Sequence, residues 1–87
     1  MKVYRIYTED KNFKKVVTET SQRVTGATFL RGVGLYNRKR EKTLVIEIIG
    51  DNASLENSVR GLAYAIRCLN WQQSVLVTVQ VVETFLI

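Results

Sequence analysis

The chain has 87 residues, a length that accommodates a single domain, which we expect to span residues 1–87. Hydrophobic residues make up 46% and charged residues 24%, a balance typical of globular rather than disordered chains. There is no histidine, one cysteine and no proline. This composition excludes Ser-His and Cys-His catalytic pairs, an intrachain disulfide and metal sites built from several cysteines. An enzyme built from it must use carboxylates, tyrosines, lysines, arginines and backbone dipoles.

The chain is basic, with 13 Lys and Arg against 8 Asp and Glu and a net charge of +5. All the basic residues lie at or before Arg67. This surplus is typical of a soluble surface and is also compatible with an anionic partner such as nucleic acid. The apolar stretches are interrupted by polar residues and fall short of the roughly 20 residues of a membrane span. We expect no signal peptide, no membrane association and a cytoplasmic location.

Hydrophobic periodicity predicts six elements along the chain. In order, they are a strand at 1–7, a helix at 11–24, strands at 27–36 and 43–49, a helix carrying Leu55, Val59, Leu62, Ile66 and Leu69 on one face, and a strand at 75–85. Asp10 is the expected N-cap of the first helix, and Gly26 is its expected stop signal. Residues 37–40 are expected to form a turn.

The order β-α-β-β-α-β with right-handed crossovers predicts a ferredoxin-like α+β fold. In it a four-stranded antiparallel sheet carries both helices on one face. The third strand directs Leu44, Ile46 and Ile48 to one side and Val45 and Ile49 to the other. Both faces are therefore apolar, and one helical layer covers only one of them. We predict that the open face drives self-association into a homo-oligomer.

The first candidate site is the hairpin between the second and third strands. It places Tyr36 at the end of one strand and Glu41 at the start of the next, close enough for their side chains to approach. Gly32 and Gly34 beside them lack side chains and would expose backbone groups to a ligand. The simpler explanation of the same pattern is an ordinary hairpin, in which Tyr36 packs and Glu41 balances the surrounding basic residues.

A second candidate is nucleic-acid binding, because residues 31–36 are similar to an RNA-recognition signature. The similarity is poor, since Val33 and Leu35 occupy the positions of the stacking aromatic residues, and only Tyr4 could supply a ring. Residues 38–40 could grip a phosphate, but a solvated turn is the simpler explanation. We rank nucleic-acid binding below the hairpin site.

Two further residue types have mainly structural explanations. Cys68, near the apolar stripe of the second helix, is expected to be a small buried residue rather than a reactive thiol. Trp71 is expected to close the end of the helical layer, with stacking on a base as the alternative. No phosphate-binding loop, dinucleotide-binding motif or metal-ligand spacing is present, so we predict no metal and no cofactor.

The element order, the hairpin and the last strand resemble the trimeric PII-like superfamily, which includes the nitrogen-regulatory PII proteins. Its members bind small ligands, often adenine nucleotides, in clefts between subunits. This resemblance implies a homotrimer with its sheets facing inward.

A narrower resemblance is to the phage-encoded S-adenosylmethionine lyases, formerly described as hydrolases. The similar segments are Gly34-Leu35-Tyr36 to a Gly-x-Tyr motif, Glu41-Lys42-Thr43-Leu44-Val45 to a Glu-Lys-Thr motif with its strand, and Gln72 to Val77 to a Gln-x-x-Val-Leu-Val segment. The positions Val59, Leu62 and Ala63 are similar to the second helix of that family. The loop from Tyr36 to Glu41 is shorter here than in the family.

The resemblance implies a reaction that suits the composition. In the lyases, the substrate's own carboxylate attacks its γ-carbon and expels 5′-methylthioadenosine, leaving homoserine lactone. The roles that transfer are those of Glu41, which would hold the α-ammonium, and Tyr36, which would lie near the reacting centre. S-adenosylmethionine would be the substrate, and a phage source would imply an anti-restriction role. The alternatives are a non-enzymatic PII-like trimer that binds an adenine nucleotide or small-molecule signal, and a basic nucleic-acid-binding module.

Overall fold

A computed structural model of the chain describes all 87 residues. The elements, in order, are β1 (Lys2–Glu9), α1 (Phe13–Ser21), β2 (Thr28–Tyr36), β3 (Lys39–Gly50), α2 (Leu55–Leu69) and β4 (Leu76–Val81). The strands form one antiparallel sheet in the order β2-β3-β1-β4. The predicted ferredoxin-like α+β fold is confirmed. Neither helix is both long enough and apolar enough to span a lipid bilayer.

The core lies between the two helices and one face of the sheet. Alternate residues of the two central strands point into it, because successive side chains of a strand face opposite sides. The buried side chains are Tyr4 and Ile6 of β1, Leu44, Ile46 and Ile48 of β3, Val16 of α1, and Val59, Leu62, Ala63 and Ile66 of α2. Burying each large aliphatic side chain contributes roughly 1.5–3 kcal/mol. This layer fixes which side of every strand faces away from the helices.

The other face of the sheet is open and partly apolar. Leu30 of β2, Ile49 of β3 and Leu76 of β4 point to this side, and each exposes about half of its surface or more, at 53%, 51% and 62%. The prediction that β3 divides its apolar residues between the two faces is confirmed by the burial of Leu44 and the different environment of Val45. The helices thus leave apolar side chains of three strands exposed on this face.

The first helix is shorter than predicted, and both of its predicted end signals were wrong. It ends at Ser21, five positions before Gly26, which does not have a positive φ. Its N-cap position is Asn12, and Asp10 does not cap it. The Asp10 carboxylate instead accepts two hydrogen bonds from the Arg31 guanidinium, at 2.8 and 3.2 Å. A bidentate ion pair between a guanidinium and a carboxylate is stronger than the single hydrogen bond that a carboxylate accepts at a helix N-cap.

The same arginine joins the edge strand β2 to the start of α1. The Arg31 guanidinium lies 4.3 Å from the centroid of the Phe13 ring, which in turn meets the Phe29 ring edge-on at 5.8 Å. Hydrogen bonding to the Asp10 carboxylate raises the pKa of Arg31 above its usual value. The guanidinium is thus engaged by the Asp10 carboxylate, which ties β2 to the start of α1.

The hairpin turn and the last strand also differ in extent from the predictions. Only Asn37 and Arg38 form the turn, with φ of 50° and 65°, and β3 already begins at Lys39. Two consecutive positive φ values define the type I′ turn that matches the twist of tightly paired strands. The strand β4 ends at Val81, because β1 begins at Lys2 and offers no further partner.

Two predictions about the end of α2 were wrong. Cys68 is exposed, since it falls off the stripe that Leu62 and Ile66 form. Trp71 does not close the helical layer, and its side chain is 94% exposed. The reason is that the helix stops before it and the backbone reverses there, with a φ of 55° at Trp71.

The different burial of Ile66 and Cys68 on α2 predicts different losses of stability when each is replaced by alanine. Replacing Ile66 by Ala removes a fully buried side chain and should lower the free energy of unfolding by roughly 2–5 kcal/mol. Replacing the exposed Cys68 by Ala, two residues away, should change it by less than about 0.5 kcal/mol. Chemical denaturation measures both. An equal loss in the two variants would contradict the described face of α2.

Candidate functional site

The strand register brings Tyr36 and Glu41 to one side of the sheet. Tyr36 lies opposite Lys39, and Glu41 lies opposite Gly34. Opposed residues of an antiparallel pair share a face, and so do residues two positions apart. Tyr36 and Glu41 are therefore diagonal neighbours, with Cβ atoms roughly 7 Å apart. They lie on the open face, since the helix side is taken by the alternate positions that lead to Leu44 and Ile46.

The pair is free of partners within the chain. Tyr36 is 70% exposed, and Glu41 is exposed and belongs to none of the chain's ion pairs. Alternation sends Lys39 to the same face as Glu41 but sends Arg40 and Lys42 to the opposite one. Within the single chain, therefore, Tyr36 does not pack against another side chain and Glu41 does not form an ion pair. A tyrosine hydroxyl and an unpaired carboxylate face solvent side by side.

The two glycines beside the pair have different surroundings, so the lack of a side chain has a different consequence at each. A Cβ at Gly34 would overlap with the Thr43 Oγ1, so the threonine side chain already occupies that space. The same threonine hydroxyl donates a long hydrogen bond of 3.4 Å to the Glu41 carbonyl oxygen. A Cβ at Gly32 would meet nothing within 4 Å. Gly34 therefore serves packing inside the chain, whereas the empty space over Gly32 is open to an external group.

Sequence reasoning missed a buried polar network at the same end of the sheet. Asn70, 1% exposed, donates hydrogen bonds to the Thr8 hydroxyl at 3.3 Å and to the Glu9 carbonyl oxygen at 3.3 Å. The Thr8 hydroxyl donates in turn to the Gln72 side-chain oxygen, which also accepts from the Glu9 backbone N–H at 3.3 Å. This network holds the segment between α2 and β4 against the end of β1. An asparagine at the end of an apolar helix stripe was the signal available for it.

The structure argues against nucleic-acid binding through the aromatic ring of Tyr4. Tyr4 is buried on the helix side of the sheet, 4% exposed, so its ring cannot stack on a base. Arg31, the basic residue of the RNA-like segment, is bound to Asp10. The tyrosine of β1 that belongs to the open face is Tyr7, which pairs with Val45 and Leu76.

The main cavities of the chain are not lined by Tyr36 or Glu41. The cavity of about 480 Å³ lies at the opposite end of the sheet, between the loop before β2, the end of β3 and the start of α2. The structure does not bring three or more Asp, Glu or Cys side chains together into a set that could hold a metal ion. A ligand at the hairpin would therefore meet protein from one side only.

Comparison with solved structures gives the same fold in proteins of known class. A phage SAM lyase in its apo state superposes with a TM-score of 0.72 at 23% identity, over 91% of this chain and 78% of that one. A phage SAM lyase in complex with S-methyl-5′-thioadenosine gives 0.66 at 22% identity, over 91% and 79%. CPII, a nitrogen regulatory PII-like protein from Thiomonas intermedia K12 bound to ADP, AMP and bicarbonate, gives 0.63 at 17% identity, over 97% and 94%.

These likenesses define the class of fold. The chain has the ferredoxin-like architecture of PII-like proteins, and its resemblance to phage SAM lyases is confirmed at the level of the fold. No protein-family model and no curated protein matches the sequence.

The different environments of the two glycines lead to a stability prediction. Gly34→Ala should lower the melting temperature, because the new methyl group collides with the Thr43 hydroxyl. Adding Thr43→Ala should restore much of the loss, because it removes that hydroxyl. Gly32→Ala is the matched control on the same strand, and it should leave the melting temperature unchanged or slightly raised. Thermal unfolding of the four proteins tests this. Equal losses at both glycines would argue against the described packing.

Proposed function

We propose that the protein is an S-adenosylmethionine lyase that produces 5′-methylthioadenosine and L-homoserine lactone. The observation that carries the proposal is the pair Tyr36 and Glu41, unpartnered and side by side on the open face of the hairpin. The motifs Gly34-Leu35-Tyr36 and Glu41-Lys42-Thr43 resemble those of the phage lyases. The fold shared with phage SAM lyases, one of them holding S-methyl-5′-thioadenosine, supports the same proposal.

In the proposed reaction both the nucleophile and the leaving group belong to the substrate. A carboxylate oxygen of S-adenosylmethionine attacks its γ-carbon, and a C–O bond forms as the C–S bond breaks. The electron pair of the broken bond goes to the sulfonium sulfur, which becomes the neutral thioether of 5′-methylthioadenosine. No proton is transferred and no water is activated, so a chain without histidine can perform the step.

The protein's task is then to fold the substrate into the attacking geometry. Holding two reacting groups in a near-attack arrangement can be worth several kcal/mol of the barrier. In the proposal Glu41 binds the α-ammonium and so orients the adjacent carboxylate towards the γ-carbon. Tyr36, its diagonal neighbour, contacts the reacting centre and limits the conformations of the substrate. The open space over Gly32 lets a substrate approach the backbone of β2.

The net charge of +5 opposes a cationic substrate at long range, but local charge decides the binding energy. Exposed charges farther apart than about 10 Å are largely screened at 0.1 M salt. Glu41 carries no competing ion pair, and the neighbouring Arg40 and Lys42 point to the other side of the sheet. The carboxylate is therefore available to an ammonium group despite its basic surroundings.

The proposal includes a homotrimer whose sheets face inward, with the site between subunits. The open face exposes Leu30, Ile49 and Leu76, which a partner would cover. The Tyr36–Glu41 pair is open on one side, so a second copy would complete the cleft. If the protein acts in phage infection, removal of the methyl donor would starve methylation-dependent restriction in the host, which is the proposed biological role.

The second candidate function is a non-enzymatic PII-like trimer that binds an adenine nucleotide at the same cleft. The observation that favours it is the superposition on CPII, which is bound to ADP and AMP, over 97% of this chain. Both candidates use the same surface, and only a product separates them.

Incubation with S-adenosylmethionine, followed by analysis for methylthioadenosine and homoserine lactone, tests the proposed reaction. We expect turnover by the wild type and a loss of roughly a hundredfold in Glu41→Gln, which keeps the shape but removes the charge that orients the substrate. Tyr36→Phe should lower the rate as well. Glu83→Gln, which removes a carboxylate far from the hairpin, is the matched control and should retain full activity.

Binding of ADP or AMP without any product would reject the lyase in favour of the second candidate. Product formation by Glu41→Gln at the wild-type rate would reject the assigned role of Glu41 while leaving the reaction itself in place.

Analytical ultracentrifugation tests the assembly. The wild type should sediment as a trimer at micromolar concentration, and Leu30→Asp should shift it to a monomer, because a charge would be buried in the interface. Val33→Asp is the control on the same strand, since Val33 is 75% exposed but points to the other side of the sheet. A monomeric wild type would reject the trimer.

A further inference from the structure

The unpaired positive charge of the chain is concentrated at the hairpin end of the sheet. Five of the 13 basic side chains form ion pairs with five of the 8 acidic ones, so these ten side chains are neutral as a group. The remaining eight cations and three anions therefore account for the whole net charge of +5. Glu41 is the one unpaired acidic residue at this end. Six of the eight cations lie in the hairpin or at the start of α1, namely Lys14, Lys15, Arg38, Lys39, Arg40 and Lys42.

The tip of the hairpin projects beyond the rest of the sheet as a two-stranded arm, which comprises residues 33–42. The strand β1 ends at Glu9, opposite Thr43, so the strands of the arm pair only with each other. Val33 and Leu35 are each 75% exposed, which shows that the helices do not cover this part of the hairpin. At about 3.4 Å per residue, the four residues of β2 in the arm give it a length of roughly 13 Å.

The two faces of the arm differ in charge. Arg40 and Lys42 lie on the helix side, whereas Lys39 and Glu41 lie on the open face, because successive residues of a strand alternate. Arg38 occupies the turn at the tip. The helix side and the tip of the arm thus carry three cations and no acidic residue. The open face, which holds the candidate site, is neutral.

No group of the chain neutralises the cations on the helix side of the arm. Arg40 and Lys42 are two positions apart on one strand, a separation of roughly 7 Å. Asp10 adjoins Lys42, since its backbone N–H bonds to the Lys42 carbonyl oxygen at 3.0 Å, but its carboxylate is bound to Arg31. Repulsion among like charges therefore remains in the isolated chain, and an external polyanion would remove it.

We infer that the arm binds duplex DNA, with Arg38, Arg40 and Lys42 on the phosphates and the two-stranded tip in the major groove. The major groove of B-DNA, about 12 Å wide, admits a two-stranded β-ribbon. Cations that displace the counterions of a duplex provide affinity that does not depend on sequence. Lysine is depleted at protein–protein interfaces, so this concentration of charge favours DNA over an acidic protein. The inference does not depend on the proposed function, because these cations lie away from Tyr36 and Glu41.

Fluorescence anisotropy with a labelled duplex of about 20 base pairs and random sequence tests the inference. We expect saturable binding at about 50 mM salt, and log affinity should fall linearly with log salt concentration. Arg40→Gln removes one phosphate contact, so it should weaken binding at that salt roughly tenfold. It should also reduce the salt slope by about 1 for each arm on the duplex. Lys42→Gln should have the same two effects.

Lys2→Gln is the matched control for the loss of an exposed, unpaired cation. Lys2 lies at the opposite end of the sheet, where it pairs with Gly50 and Val81. The distance to the arm far exceeds the roughly 10 Å over which charges act at 0.1 M salt, so affinity and salt slope should both be unchanged. All three substitutions change exposed side chains, so the melting temperatures should remain close to that of the wild type.

Two kinds of variant separate DNA binding from the proposed reaction. Arg40→Gln and Lys42→Gln should retain turnover of S-adenosylmethionine, because both side chains lie on the face away from the candidate site. Glu41→Gln should lose turnover but bind the duplex at least as tightly, because it removes the one acidic side chain of the arm. A wild type that binds the duplex and forms no product would reject the lyase and support the inference. An active wild type that does not bind the duplex would reject the inference alone.

Three further outcomes would overturn the inference. A loss of affinity in Lys2→Gln equal to that in Arg40→Gln would show that general charge, not the arm, binds the duplex. Equal binding of duplex RNA, whose major groove is deep and narrow, would reject the placement of the arm in that groove. Tighter binding of a synthetic peptide of alternating leucine and glutamate would favour an acidic protein partner, which would also cover Val33 and Leu35.

Discussion

The architecture depends on one constraint, namely that a single layer of helices covers only one face of a sheet. The core side chains of β1 and β3 alternate strictly, so Ile6, Leu44 and Ile46 are fully buried, whereas their sequence neighbours face outwards. The period of two leaves no freedom, because a slip of one residue would exchange the two faces along a whole strand. Burial of the core therefore also determines which residues remain on the open side. The candidate site is a consequence of how the core is packed at the other face.

The turn between β2 and β3 determines how these two strands pair at the candidate site. Its two residues, Asn37 and Arg38, adopt the left-handed conformations of a type I′ turn and fix the pairing of Tyr36 with Lys39. That pairing puts Glu41 on the same side as Tyr36. The face of Glu41 itself follows from alternation along β3, which buries Leu44 three positions later. The short turn adds the proximity, because it leaves Glu41 only two positions from Lys39, the residue opposite Tyr36.

Much of the fold could be predicted from the sequence, because periodicity reports burial directly. The apolar stripes located both helices, and the split of β3 into two apolar faces followed from counting alternate residues. Predictions failed where a long-range partner decided the outcome. Asp10 resembled a helix cap, but Arg31, distant in sequence, bound it instead. The prediction for Trp71 failed because α2 ends in a left-handed residue, although no glycine is present there. The prediction for Cys68 failed because this residue lies off the stripe that Leu62 and Ile66 form. The placement of Tyr36 and Glu41 followed from local pairing, but the packing of Thr43 over Gly34 required coordinates.

The two unusual backbone features of the chain have different physical meanings. The left-handed residues of the hairpin turn are required by strand pairing, and their conformation is needed whatever residue occupies them. At Trp71 the conformation is equally required by the Schellman motif, but the residue is not, since glycine would satisfy the same hydrogen bonds with less strain. An exposed indole gains no burial in return within one chain. A small protein with a limited core has little stability to spare, so the left-handed indole lowers the stability of the isolated chain with no burial to offset it.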